Sequence, residues 1–523
     1  MKTLNIKKYV LLAAMSAVLS GCVTDEDMVQ ADPNFDSELS FWKTDEDAVK
    51  GLSAAYSALL ADGTYMRSTP LLLDLKGDDT RSNSPWVSMA NVGRFNTSVS
   101  DPAIYAWGYE MYYQGIYRCN QVLTRVPQMT MQDDELKNRI LGQAHFLRGL
   151  YLFHAVNMFK NVPIPLSLED LKHPQKTEAE GWAQVKSDFQ MAADLLPVSY
   201  AAVSNPLDAA ANGQGRATRG AALAYLGKAQ LFTHDFAAAK TTFESVIGLG
   251  VYSLVSNYRD NFTSTNENNS ESLFEVQFSR EAGGVVLGWG GIPQTDWGKA
   301  SARAITYGPR QFGFTDVQPT VTLFNEFKQE LTVSGQVDPR LDATIFYNKP
   351  GATLYGQSFA AVYANNAADL NDLYCRKYQN SDGDFANEMD WRSGINERLL
   401  RYADVLLMYA ETLNETGATS AAYQYIQMVR SRVGLADLAT VRPGMTQEQM
   451  RDQIAHERFL ELALEGHRSD DIRRWGWYQN PAKLAWLKQR DPEFNTYTEG
   501  REYFPIPQLE MDTNQGTIQN LGY

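Results

Sequence analysis

INERLLRYADVLLMYAETLNETG (395–417) is the stretch on which the fold turns. Leu399, Leu400, Ala403, Leu406, Leu407, Ala410 and Leu413 recur at helical spacing, and the apolar band is too wide for a helix with one solvated face. The spacing predicts a helix packed on several sides, with Gly417 ending it. Arg401, Asp404 and Glu411 share one stripe of this helix, where charges must be paired.

Partners for that stripe are expected downstream. Residues 447–475 read as one helical run, with Glu457, Glu461 and Glu465 at i, i+4 and i+8. Such a row repels itself in a lone helix. Arg398, Arg401, Arg430, Arg432, Arg458 and Arg468 are the candidate counter-charges. A catalytic carboxylate cluster would share this pattern, but interior ion pairs that hold helices in register are the commoner cause. The region reads as scaffold.

Working outward, Thr44-Asp45-Glu46-Asp47 resembles a capping box, and Ala48, Val49, Leu52, Ala55, Tyr56 and Leu59 continue a helix face that Gly63 would stop. Periodicity is lost over 64–102, a loop carrying Gly77, Asp78, Asp79, Arg81, Asn83 and Trp86. Helices are expected again over 103–126 and 133–159, and Pro163 and Pro165 break the second. LGKAQLFTHDFAAAKTTFESVI (226–247) follows the tetratricopeptide pattern, with 181–197 and 420–434 as further second helices of such units. Each helix pair leaves an apolar face that the next must cover, which implies a solenoid-like stack. From 257 to about 396 the texture changes. SLFEVQFS (272–279) alternates like a strand, and glycines then punctuate an aromatic-rich stretch containing Trp289, Trp297 and Tyr307, with Trp391 beyond.

The 523 residues carry a net charge of −15, with 44% hydrophobic and 21% charged residues. An acidic chain without a basic block is not expected to bind nucleic acid. Residues 1–21 form a leader: Lys2, Lys7 and Lys8 precede an apolar run over 9–19, too short to span a bilayer but suited to a secretion signal. LSGC (19–22) looks like a lipobox, in which the Cys22 sulfur is acylated and becomes the mature N-terminus. Cys22, Cys119 and Cys375 fit neither a zinc site nor a disulfide framework.

Four blocks identify a family resemblance. GQAHFLRGLYLFHAVNMFKNVPIPL (142–166), RYADVLLMYAETLNETG (401–417), HERFLELALEGHRSDDIRRWG (456–476) and YFPIPQLEMDTNQGTIQNLGY (503–523) resemble the SusD/RagB family of surface lipoproteins, in family order. The resemblance implies a mostly α, tetratricopeptide-like scaffold with a loop-rich insert. It also implies a lipid anchor in the outer membrane, exposure on the cell surface and a SusC-like TonB-dependent transporter as partner. Asp25-Glu26-Asp27 is similar to the acidic tract that accompanies surface export in such lipoproteins. The expected organisation is a leader (1–21), an acidic linker (22–38), an N-terminal helical part (39–256), the insert (257–394), a second helical part (395–476) and an extended tail packed on the scaffold (477–523).

No HExxH, P-loop, GxSxG or cysteine–histidine pair is present, so no catalytic residue is assigned. His145 and His154 are expected to pack within a helix. Asn380, Asp382 and Asp384 alternate like calcium-loop ligands, but no glycine follows at the required offset; no cofactor is expected, calcium being the one cation the pattern leaves open. Carbohydrate recognition needs only exposed rings for the C–H face of a sugar and polar groups for its hydroxyls. The expected ligand-binding residues are therefore Trp86, Trp289, Trp297 and Tyr307, with Asp79 and Arg81 as polar partners. The expected function is capture of an oligosaccharide or glycan and its delivery to the transporter. A secreted glycoside hydrolase and a structural cap that binds no ligand are the rival readings.

Overall fold

Thr44 closes a capping box with Asp47 and starts α1 (Asp45–Ser57), as the sequence predicts. The computed structural model describes residues 41–101, 103–168, 173–209, 213–281, 299–383 and 385–523. The leader, Cys22, the acidic tract, Trp289 and Trp297 lie outside the described residues. α1 stops at Ser57 rather than at Gly63, whose role is different. A Cβ there would sit 2.2 Å from the Trp107 carbonyl oxygen, so two backbones meet at this point. Gly63→Ala should therefore destabilise the fold by on the order of 1 kcal/mol or more, read as a lowered melting temperature.

The stretch 64–102 is not one loop. It contains α2 (Ser68–Asp74), β1 (Thr80–Ser82) and α3 (Val87–Gly93), each too short to show a period. All of 61–80 except Leu73 is buried, so tertiary packing rather than amphipathicity fixes these elements.

α4 (Ala103–Arg125), α5 (Asp134–Phe159), α6 (Glu178–Leu195), α7 (Arg219–Phe232) and α8 (Phe236–Gly248) follow, each packed on the one before it. The tetratricopeptide reading of 226–247 holds locally. A Cβ on Gly227 would meet the Phe243 ring at 2.7 Å, so the glycine lets α7 and α8 close on that ring. α5 has almost no polar face, because α4, α6 and the C-terminal chain cover it on several sides.

The central stretch is only partly a helix. Residues Glu397–Arg401 form β4, antiparallel to β2 (Ser272–Val276), and α10 (Tyr402–Glu415) begins after it. Every residue of β4 is buried, and a strand covered on both faces shows no alternation, so its apolar positions merged with the helical period that follows. Between β2 and β4 the insert contributes α9 (Arg303–Tyr307) and β3 (Val317–Pro319), the latter paired antiparallel with β1. α8 packs on α10, which also contacts α11 (Thr419–Arg432) and α12 (Gln447–Glu461) and so continues the stack.

The run 447–475 is also broken. α12 ends at Glu461, and Leu464 and Gly466 turn the chain with φ of +63° and +76° before α13 (Arg468–Arg474). Glu465 therefore lies in a turn, although it meets the same arginine as Glu461. Arg401 donates to Glu465 at 2.7 and 2.8 Å and to Glu461 at 3.1 Å. Arg430 and Arg432 supply Glu457 and Glu461, and Arg340, from the insert, reaches both at 2.7 and 3.1 Å. The other arginines serve elsewhere: Arg398 pairs with Glu275, Arg458 with Asp404 and Asp471, and Arg468 with Asp78. The 477–523 segment is not one extended tail: it contains α14 (Pro481–Arg490), a 3-10 turn (Pro492–Thr496) and a last short helix (Gln508–Thr513), and around that helix Phe504 N–H donates to Met158 and Asn520 to Phe159.

Candidate functional site

Trp86 precedes α3 at the end of a tied loop. The Ser84 hydroxyl accepts from Trp86 N–H at 3.1 Å, and Asn83 N–H donates to the Asp316 carbonyl at 2.8 Å, extending the β1–β3 ladder. These bonds set the Trp86 ring 5.7 Å from that of Trp107 on α4, with planes tilted by 40°. Beneath them Arg67 lies 5.6 Å from one ring centroid and 5.7 Å from the other, held by Asp62 at 2.7 and 2.6 Å. Burial pushes the Asp62 carboxyl up against the opposing pull of Arg67. Both indoles stay half-open, and Val87 beside them is exposed. The arrangement is an aromatic pair with its polar base already satisfied, so it offers ring faces rather than unpaired charge.

A second aromatic cluster adjoins it. Phe314, two residues from Asp316, is 43% exposed and meets the edge of Trp391 at 5.1 Å. Ser301 bridges Ser393 by paired backbone hydrogen bonds, and Ala302 N–H donates to Met66 beside Arg67, joining the two clusters. Gln311, Thr315 and Trp391 adopt φ of +74°, +60° and +60°. Each such non-glycine conformation costs on the order of 1–3 kcal/mol and persists only where its surroundings enforce it. Three such residues hold the backbone on either side of the Phe314–Trp391 pair, although others occur elsewhere in the fold, as at Phe95, Lys160 and Leu464. Arg280 packs over Phe385 at 4.4 Å and pairs with Asp390, adding a cation and a carboxylate to the rim.

The sequence-predicted residues divide. Trp86 stands on this surface. Arg81 is exposed but pairs with Asp372 at 3.1 Å and Gln318 at 3.2 Å. Tyr307 is a correction: its ring is 2% exposed, and its hydroxyl donates to Asp74 at 2.7 Å inside the core. Asp79 is equally buried, accepting from Leu464 N–H at 3.0 Å, so it presents nothing to a surface ligand. The fold turns both inward because α9 and the β1 entry pack against the turn after α12. Trp289 and Trp297 fall outside the described residues. Trp107 and Phe314 escaped sequence reading: the first sits in a helix rich in aromatics on every side, the second in a segment without period.

Burial, with Asp74 nearby, raises the Asp79 carboxyl to about 7, while Arg468 draws it down. A carboxyl raised on folding weakens the fold as pH climbs from its ordinary value of 3.8 toward 7. Asp79→Asn should thus be more stable than wild type by about 1–2 kcal/mol at pH 8, with the gain gone by about pH 4, in chemical denaturation at both pH values.

The histidine expectation holds, since His145 meets Asp188 at 2.7 Å and His154 meets the Tyr65 hydroxyl. In the calcium-like stretch, Asp382 is occupied by Arg259 and Arg376, and the Asn380 amide donates to Glu388. Asp384 lies outside the described residues.

Comparison with known proteins places this architecture. Residues 270–523 match the SusD family and residues 47–231 match a family described as starch-binding associating with outer membrane. A SusD-like protein, P25, from Formosa agariphila is 26% identical over 99% of this chain and 98% of its own length. A SusD superfamily protein from Bacteroides vulgatus superposes with a TM-score of 0.79 at 28% identity, covering 92% of this chain and all of that one. A laminarin-binding SusD-like protein gives a TM-score of 0.72 at 26% identity over 92% of this chain and 100% of its own.

Proposed function

Because this chain belongs to the SusD family, we propose that it is a cell-surface lipoprotein that captures a glycan on the Trp86–Trp107 and Phe314–Trp391 surface and passes it to a SusC-like TonB-dependent transporter, making and breaking no bond. The observation that carries this reading is the pair of half-open indoles over a neutralised Arg67–Asp62 base. A pyranose lays its C–H face on such rings, and its hydroxyls find hydrogen-bond partners at the polar rim. The 26% identical relative that binds laminarin supports a glycan as the ligand class. A hydrolase would need two free carboxylates facing one sugar, whereas Asp62 is engaged by Arg67.

Isothermal calorimetry of the soluble protein against starch, laminarin, plant and host oligosaccharides tests the reading, with product analysis after long incubation. Binding of at least one intact glycan is the expected result. A shortened product would make the protein an enzyme, and no binding to any glycan would favour a structural cap.

The anchor follows from LSGC, which makes Cys22 the acylated mature N-terminus. Several acyl chains on one residue hold a protein firmly, each buried methylene contributing about 0.8 kcal/mol. Among the described residues no helix is long and apolar enough to cross a membrane. Cys22→Ala should leave the protein unacylated and released from outer-membrane fractions. Mass spectrometry finding an unmodified Cys22, or a mature chain that starts elsewhere, would refute the assignment. Copurification of a TonB-dependent channel with the wild-type lipoprotein checks the partner.

A further inference from the structure

A cavity of about 480 Å³ opens where the α7–α8 turn, the end of α10, the flank of α12 and the start of α14 converge. Its size lies within the range of roughly 300–1,000 Å³ usual for small-ligand sites. It shares no lining residue with the surface around Trp86. Trp475 and Trp477 line it, their centroids 5.1 Å apart and their planes tilted by 36°. The Trp475 indole N–H donates to Glu411 at 2.8 Å, and Arg474 holds the same carboxylate at 2.5 and 2.7 Å. The ring is thus fixed by its edge while it remains half-open.

A smaller cavity of about 170 Å³ continues beyond Trp477 to Trp486, which is 39% exposed and crosses Trp477 at 88°. The two spaces share Asp452, Trp477 and Lys483. The Lys483–Asp452 pair at 2.7 Å is partly exposed, and such pairs hold little energy, so this divider opens easily. The result is a cleft with two partly open indoles, Trp475 and Trp486, on either side of Trp477, which is 8% exposed and forms the floor between them.

The rim decides the ligand class. Four carboxylates and three cations line the larger space, and Arg451 is bidentate with Glu415 at 2.7 Å. An anion would face the carboxylates and a cation the guanidiniums, so neither gains along the whole rim. A lipid tail would strip water from all of these groups. A neutral polyhydroxylated ring meets both demands, with an apolar face for the indoles and hydroxyls that donate to carboxylates and accept from cations. We infer that this cleft is a second saccharide-binding site, for a short neutral oligosaccharide, independent of the surface around Trp86.

Fluorine NMR of protein labelled with fluorotryptophan reads both places at once, each resonance assigned by a Trp→Phe variant. The probes are maltohexaose, laminarihexaose and cellohexaose, each titrated to about 10 mM, where a millimolar site is mostly filled. At least one should shift Trp475, Trp477 and Trp486 saturably, and equally in Trp86→Ala. Trp486→Ala, a surface change that should leave folding intact, should weaken binding read at Trp475 by about fivefold or more. Saturable shifts at Trp86 alone, no shift at the three indoles, or unchanged affinity in Trp486→Ala would overturn the inference. Shifts at the three but not at Trp86 would uphold it while overturning the surface assignment.

Discussion

Glu461→Gln should remove about 3–5 kcal/mol of folding stability while leaving glycan affinity near wild type. Glu461 is fully buried and accepts from Arg432 at 2.5 Å on both oxygens, from Arg401 at 3.1 Å and from Arg340 at 3.1 Å. Those arginines come from α11, β4 and the insert, so one carboxylate ties three parts of the chain together. Burial pushes its pKa up, but the three guanidiniums outweigh burial and hold it at about 2. A carboxylate lowered on folding stabilises fully above its ordinary value of 4.5, and the contribution fades as pH falls toward 2. The gap between variant and wild type should therefore be widest at pH 7 and start to close below about pH 4.5. Glutamine keeps the shape but leaves buried guanidiniums without a counter-charge, the costliest way to break such a network. Since whole domains hold only about 5–15 kcal/mol, the loss threatens folding itself. Denaturant unfolding measures it. A variant of normal stability that lost ligand binding would move the cluster from scaffold to site.

Trp86→Ala should cost over tenfold in affinity for the best glycan, about 2 kcal/mol or more, in calorimetry of the folded variant. The ring is partly exposed and also packs on the hydrophobic core, so the change removes a stacking face together with some core contact, and affinity is compared only for variant protein shown to be folded. Phe314→Ala, more exposed still, should weaken binding by several-fold, because an edge-on partner contributes less than a stacked one. Unchanged affinity in both variants would place the ligand elsewhere.

Much of the scaffold could be read from the chain, because the cause is local. Thr44 caps its helix with Asp47 three residues away, and Gly227 admits Phe243 from the very next helix. The strand at SLFEV is where its own residue types announce one, although Leu273 to Val276 are all buried, and the four family blocks carry the resemblance that the comparisons establish. Other features depend on what lies across the fold. Residues Glu397–Arg401 are a strand only because β2 and its surroundings cover both faces, which erases the alternation that would announce it. The arginine that completes the Glu457–Glu461 pair is Arg340, 117 residues from Glu457, and no spacing rule connects them. Tyr307 and Trp86 have equally plausible loop sequences, yet one ring donates to Asp74 in the core and the other stands half-open beside Trp107. Sequence determines which side chains can stack or ionise; which of them keep an open face is decided by the segments that fold over them, and those contacts exist only once the chain has closed.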